Sequence, residues 1–167
     1  MLKMKKILLL SHFLIALNLA SYSAQALAAD SSVSTPSKQI PSLAEQNKKI
    51  VTDFYEGVFL KHQVKQYADR YIGDQYIQHN PNVPDGKAPF VNFFSQKFSN
   101  NPQAKNVIKK VIAEGDLVVL HVHSTENDSD RGRAIIDIFR VENGKIVEHW
   151  DVIQNIPEKS QNSNTMF

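Results

Sequence analysis

One carboxylate stands in the middle of an apolar run near the end of the chain. Asp137 lies between Ile136 and Ile138, with Ile135 and Phe139 one position further out. Side chains two apart on a strand share a face, so Ile135 and Phe139 would place hydrocarbon beside this carboxylate. Burying a carboxylate costs several kcal/mol unless it is paired or protonated. We therefore predict that Asp137 lies in a pocket, the alternative being a residue on a solvated face.

Histidines accompany this aspartate on segments that are predicted to be extended. They are His79, His121, His123 and His149, whereas His62 falls at a predicted helix end. Imidazole titrates near neutrality, so beside a carboxylate it can donate or accept a proton. A single histidine of this kind is more often structural, but four near one aspartate favour an acid–base site.

A metal site is the alternative reading of the same residues. His121 and His123 would present two imidazoles on one strand face, and His79 with Asp137 could complete a coordination set. The chain contains no cysteine, the residue that structural zinc sites favour. The lack of cysteine argues against a structural zinc site.

Helices are predicted before the strands that carry these residues. Ser42 and Glu45 form a capping box, followed by apolar residues at helical spacing. A second helix is predicted over residues 64–71, and a third contains the apolar residues between positions 90 and 98. Between them, residues 76–81 form an extended piece that leads into a turn.

Four strands follow the helices. The β-branched runs 107–113 and 117–125 are joined across Gly115, and the runs 134–141 and 146–153 are joined across Asn143-Gly144. Three helices followed by an antiparallel meander predict an α+β fold with the helices packed on one face.

Alternation along the strands assigns side chains to faces. It places His121 with His123, and His149 with Asp151 unless a bulge intervenes. We expect both pairs beside Asp137. The opposite face would then be apolar and uncovered by helices, which predicts a homodimer. The residues expected on that face are Val118, Leu120, Val122, Ile136 and Ile138.

The N-terminus has the pattern of a secretory signal peptide. Three lysines at positions 3, 5 and 6 precede an apolar run over residues 7–20, and small residues gather up to Ala28. A membrane anchor is disfavoured because the run is shorter than the roughly 20 residues needed to span a bilayer. We expect export to the periplasm or the medium, with no stable membrane anchor after cleavage.

Four segments follow from these features: a signal peptide (1–28), a flexible linker (29–41), one folded domain (42–156) and a flexible tail (157–167). Three of the 19 Lys and Arg belong to the leader and all 17 Asp and Glu follow it, so the processed chain has a formal charge of −1. With no basic stripe, a nucleic-acid partner is not expected.

Three motifs resemble one known family. YIQHNP at 76–81, IDIFRV at 136–141 and GKIVEHWD at 144–151 are similar to the SnoaL-like polyketide cyclase family, within the nuclear transport factor 2-like superfamily. The resemblance covers residues 46–156. It implies a cone-shaped fold in which N-terminal helices pack on a curved, mainly antiparallel sheet around a pocket.

For the cyclase members, this resemblance implies an aldol-type ring closure without metal or cofactor. An aspartate on the strand before the last hairpin acts as acid and base, and Asp137 stands at the matching place. A histidine on the preceding strand assists, which fits His123 best and His121 second. We expect cyclisation or isomerisation of a carbonyl compound, the alternative being a non-catalytic module that binds a small apolar ligand.

The remaining pocket residues are predicted as ligand contacts. Tyr55 could equally be plain core, because aromatic residues at helical spacing are more often buried than functional. The predicted ligand-binding residues are His79, His149, Trp150, Asp151 and Tyr55.

Overall fold

The structure, a computed structural model, describes residues 40–167. The predicted signal peptide and nearly all of the predicted linker lie outside these residues, so both stay predictions. Within the described residues, no helix is long and apolar enough to cross a membrane.

Three helices precede most of the sheet: α1 (Leu43–Phe59), α2 (Val64–Tyr71) and α3 (Lys87–Asn100). Ser42 caps α1, because its Oγ accepts the backbone N–H of Glu45 at 3.2 Å. The buried stripe of α1 contains Val51, Phe54 and Tyr55, which pack into the core. This amphipathic stripe holds the helix against the sheet.

Five strands form one open sheet in the order β1-β5-β4-β3-β2. They are β1 (Ile72–Gln78), β2 (Lys105–Glu114), β3 (Leu117–Thr125), β4 (Arg133–Glu142) and β5 (Lys145–Asn155). Strands β2 to β5 make the predicted antiparallel meander. The extended piece before α3 is partly a fifth strand, which pairs parallel with β5 at the sheet edge.

The α+β prediction is therefore confirmed, with three helices against one face of a curved, mainly antiparallel sheet. We call the face that meets the helices the inner face, and the other the outer face. The two-residue turn at Asn143-Gly144 joins β4 to β5, and both residues have positive φ, as the tight hairpin requires.

The prediction that the apolar residues of β3 lie on the face not covered by helices is wrong. Val118, Leu120 and Val122 are fully buried on the inner face, because Leu120 lies opposite Asp137 in the register between β3 and β4. His121 lies opposite Ile136, so both belong to the outer face. The outer face therefore mixes apolar residues of β4 with the histidines of β3.

The last residues have no regular secondary structure, yet the C-terminal side chain has a defined position. The ring of Phe167 lies against the outer face, with its centroid 5.2 Å from that of His121 and 4.7 Å from that of His123. These contacts cover part of the outer face of β3.

Candidate functional site

A cavity of about 340 Å³ lies between the helices and the inner face of the sheet. Its hydrocarbon wall comes from α1, α3 and the inward residues of β4. That wall includes Phe59, Phe90, Phe94, Phe98, Ile135 and Phe139. The polar residues of the lining include two groups, one around Asp137 and one around Arg133.

Asp137 occupies the first polar group with both carboxylate oxygens engaged. It is 6% exposed. The Tyr55 hydroxyl donates to Oδ2 at 2.7 Å, and Nε2 of His149 lies 3.1 Å from Oδ1. Hydrogen bonds of this kind offset the cost of burying a carboxylate. The sequence therefore places an acid in the core because two partners are there to hold it.

His149 is oriented by a chain of contacts that ends on the backbone. Its Nδ1 lies 2.7 Å from Oε1 of Gln78, and the same oxygen accepts the backbone N–H of Asn80 at 3.2 Å. Because that N–H is a donor, the Gln78 atom facing the ring is the amide oxygen, so Nδ1 of His149 must carry a proton. In the neutral ring, Nε2 then has a lone pair facing Asp137.

The contact between His149 and Asp137 consequently requires one more proton. It sits either on the carboxyl group or on Nε2 as imidazolium, because two bare acceptors at 3.1 Å would repel. A pair that shares one proton can both release and accept one, which is the property of an acid–base site.

Tyr55 is the neutral member of the group. Its burial, together with the neighbouring charge of Asp137, raises the pKa of the Tyr55 hydroxyl well above the ordinary value. The side-chain amide of Asn106 donates to its oxygen at 3.0 Å. Burial also raises the pKa of Tyr76, a further lining residue. Tyr55 is thus a permanent hydrogen-bond donor at the cavity.

Asp151 lies directly opposite Asp137 on the neighbouring strand. Both of its carboxylate oxygens accept from Nδ2 of Asn80 at 2.8 Å. Asp137, His149 and Asp151 each offer one ligand atom within 4.8 Å of the others, and within residues 40–167 they form a group that could hold a metal ion. Each of the three also has a hydrogen-bond partner within the protein.

The predicted positions of His121 and His123 are wrong. They lie opposite Ile136 and Ala134, which puts their side chains on the outer face, behind Asp137. Nε2 of His123 contacts the backbone oxygen of Arg131 at 2.9 Å. The place expected for these histidines is taken by His149.

Two predicted ligand contacts also lie away from the cavity lining. His79 stacks on Trp150, with ring centroids 4.6 Å apart, and its Nε2 contacts Glu148 at 2.8 Å. The predicted contacts Tyr55, His149 and Asp151 do line the cavity. The alternative metal set of His79, His121, His123 and Asp137 is not brought together.

Polar neighbours of the site were missed from the sequence. Gln78 and Asn80 flank His79 in the YIQHNP motif, and both line the cavity. If the alternation of side chains along a strand continues through residues 78–80, Gln78 and Asn80 lie on one side and His79 lies on the other. The prediction selected His79 because imidazole is the more reactive side chain, and it therefore did not include the two amides.

Comparison with known proteins identifies the family. The sequence model of the SnoaL-like polyketide cyclase family matches residues 49–162, and the chain belongs to this family. A search of curated proteins found no match.

Solved structures share the fold. A proposed polyketide cyclase from Acidithiobacillus ferrooxidans is 18% identical (TM-score 0.54; 68% of this chain and 91% of that chain). A proposed ketosteroid isomerase from Kribbella flavida is 13% identical (TM-score 0.58; 71% and 85%). A nuclear transport factor 2-like protein of unknown function from Cytophaga hutchinsonii is 16% identical (TM-score 0.55; 71% and 95%). At these identities the likeness is one of fold.

Proposed function

We propose that the protein is an acid–base enzyme that moves a proton next to a carbonyl group, needing no cofactor. The observation that carries this proposal is Asp137, held by Tyr55 and His149 at the end of an apolar cavity. Apolar walls suit a small hydrophobic carbonyl compound, and polar groups confined to particular places would orient it.

The reactive form has an ionised Asp137 beside a His149 imidazolium. A free lone pair of the Asp137 carboxylate takes a proton from the carbon next to the carbonyl, and the C–H electrons move to the oxygen as an enolate. Once Asp137 has taken the proton, it no longer needs Tyr55 as a donor. The Tyr55 hydroxyl, which stays neutral because its pKa is raised, can then turn its single proton from Asp137 to that oxygen. Tyr55 and His149 thus assist Asp137 in the way that was predicted for a histidine of β3.

Two outcomes follow from the same enolate. In an isomerisation, Asp137 returns the proton to a different carbon of the ligand. In an aldol-type cyclisation, the enolate carbon attacks a second carbonyl of the same molecule, and the proton on Asp137 goes to the new alkoxide. The proton abstraction is common to both reactions, so it is the step to test first.

Deuterium exchange measures that step without knowing the natural substrate. Planar aryl ketones incubated with the protein in D₂O should gain deuterium next to the carbonyl. Asp137→Asn should lower the rate at least about 100-fold, the usual scale of general-base catalysis. Glu142→Gln, an exposed acid on the same strand, is the matched control. Equal exchange by wild type and a folded Asp137→Asn protein would contradict the proposal.

One observation favours the second candidate, a non-catalytic binding module. Both oxygens of Asp137 already accept hydrogen bonds, and a carboxylate satisfied in this way is a weaker base. Native mass spectrometry of protein purified from its source would then find an unaltered small molecule retained in the cavity. The absence of deuterium exchange with every ketone tested would support this candidate.

Export and self-association complete the proposal. The leader-like N-terminus supports periplasmic or extracellular localisation, tested by N-terminal sequencing of the processed protein. For assembly, Val152 on β5 is 70% exposed, and Ile136 of the outer face is also exposed. An exposed apolar face favours a homodimer. Light scattering should then give twice the monomer mass, and Ile136→Glu should halve it.

A further inference from the structure

The cavity has a second polar group, built from cations. Lys97 of α3 and Arg133 at the start of β4 both line the cavity. Nζ of Lys97 lies 3.0 Å from Oε1 of Glu126, and Nη2 of Arg133 lies 2.8 Å from the same oxygen. Two cations from distant parts of the sequence therefore converge on one carboxylate oxygen.

The distance between the two polar groups is set by one strand. Arg133, Ile135 and Asp137 occupy alternate positions of β4, and all three line the cavity. Four residues of strand span about 13 Å. The wall between them is hydrocarbon, since Ile135 lies midway and Phe94 and Phe98 line the same cavity. A ligand that reaches both groups must be elongated, with an apolar middle.

Glu126 is more exposed than Asp137. It lies in the loop after β3, and its side chain is 38% exposed. Asn101 donates to its other oxygen at 2.9 Å. Asp130 adds a further negative charge near Arg133, although its carboxylate accepts from the backbone N–H groups of Glu126 and Gly132. Partly exposed ion pairs are individually weak, so a ligand carboxylate can compete with Glu126 for the two cations.

We propose that Lys97 and Arg133 form a subsite for a carboxylate of the ligand, and that Glu126, which is not itself a lining residue, pairs with both cations in the free protein. The substrate class is then an elongated apolar keto acid, with its carbonyl at Asp137 and its carboxylate about 13 Å away along the strand. The carbonyl end rests on the proposed function, whereas the carboxylate end stands on Lys97, Arg133 and Glu126 alone. A carboxylate is favoured over other anions because Glu126, which pairs with both cations in the free protein, is itself a carboxylate.

Isothermal titration with a matched pair of rigid probes tests the carboxylate end. The acid is 4′-hydroxybiphenyl-4-carboxylate, and the neutral probe is 4-hydroxybiphenyl, which has the same body and phenol but no carboxylate. The acid should bind wild-type protein at least about tenfold more tightly, as expected for charge-assisted hydrogen bonds. Equal affinities for the two probes would overturn the subsite.

Variants separate recognition from general electrostatics. Arg133→Gln and Lys97→Gln should each weaken the acid at least about fivefold and leave the neutral probe unchanged. Lys105→Gln, which removes a cation paired with Asp128 outside the cavity lining, is the matched control and should change neither. Equal weakening of both probes by Arg133→Gln would mean that the residue shapes the cavity, and the subsite would be wrong.

Glu126→Gln makes the sharpest test because its effect has the opposite sign. Removing the internal carboxylate should tighten the acid severalfold, whereas a merely structural ion pair would weaken or not affect binding. Unchanged or weaker acid binding by this folded variant would contradict the proposal. If the preference for the acid fails while deuterium exchange at ketones persists, the subsite is wrong and the proposed function stands. If the acid is preferred but no deuterium exchange occurs, the proposed proton abstraction is wrong and the subsite stands.

Discussion

The inner and outer faces of β3 to β5 carry the same types of residue in opposite settings. On the inner face, His149 is buried between a carboxylate and an amide oxygen. On the outer face, His121 and His123 lie against the ring of Phe167. Both faces also contain apolar side chains of β4. The comparison shows that the same residue type meets a buried carboxylate on one face and an aromatic ring on the other.

The two faces also differ in what each contact is worth. Around Asp137 the polar side chains are buried, so leaving one partner of a hydrogen bond unsatisfied carries a large desolvation cost. On the outer face, water replaces a lost partner, and ion pairs contribute about 0–1 kcal/mol. Matched substitutions on the two faces should therefore have unequal effects, and the following predictions use that inequality.

The largest expected difference is in core packing. Leu120→Ala on the inner face should lower the free energy of unfolding by about 2–5 kcal/mol, because it leaves a cavity in a fully buried site. Val152→Ala on the outer side of β5 should change it by less than about 0.5 kcal/mol in the monomer, at protein concentrations too low for the proposed dimer to form. Urea denaturation of both variants at low protein concentration measures the difference. Similar losses under these conditions would mean that the outer face is buried within the monomer itself.

The next effect concerns the hydroxyl that holds Asp137. Tyr55→Phe removes the donor to Asp137 and the acceptor of Asn106 while keeping the ring. Leaving buried polar groups unsatisfied should lower the free energy of unfolding by about 1–3 kcal/mol. Tyr67→Phe on α2 is the control, because that tyrosine is not a lining residue. A Tyr55→Phe protein as stable as wild type would show that water reaches Asp137 freely.

The sequence predicted the elements well because local signals specify them. The capping residue Ser42, the Asn143-Gly144 turn and the alternation of β3 to β5 all appear in the structure. The prediction also placed His149 and Asp151 beside Asp137. The turn between β4 and β5 is not the reason, because its register alone would put Trp150 opposite Asp137. A bulge at the register shift between Arg140 and Val141 places Asp151 there instead, and alternation beyond the bulge keeps His149 on the same side as Asp151.

The same reasoning failed between β3 and β4 for a physical reason. Seven residues, 126–132, separate these strands, and a loop of that length does not determine the register. Alternation divides β3 into two sets of side chains, but it cannot say which set shares a face with Asp137. A shift of one residue exchanges Leu120 for His121, and that shift moved both predicted catalytic histidines to the outer face. The strand β1 was missed because its pairing is short and irregular.

A smaller effect should follow from the amide that orients His149. Gln78→Leu removes the acceptor of the Nδ1 proton, so the neutral ring can move its proton to Nε2 and donate to Asp137 instead. Nitrogen-15 spectra of the imidazoles should show His149 protonated at Nδ1 in wild type and protonated only at Nε2 in the variant. The stability cost should be about 1 kcal/mol.

His121 and His123 provide the internal control for that measurement, because they lie behind the sheet and their signals should not move. An unchanged tautomer of His149 in the Gln78→Leu protein would mean that Asp137, and not Gln78, determines the position of the ring proton.

The smallest effect is expected at an ion pair remote from the cavity. Hydrogen bonds from His79 and Arg140 lower the pKa of Glu148 below its ordinary value. A lowered folded-state pKa stabilises the fold above the ordinary glutamate pKa, and this contribution is lost as the pH falls through the folded value. Glu148→Gln should therefore cost less than about 1 kcal/mol at neutral pH, where the partners are partly exposed, and nothing in strong acid. Urea denaturation from pH 7 downwards checks both the size and the sign. A difference from wild type that grew towards low pH would contradict this account, because it would require Glu148 to stabilise the fold in its protonated form.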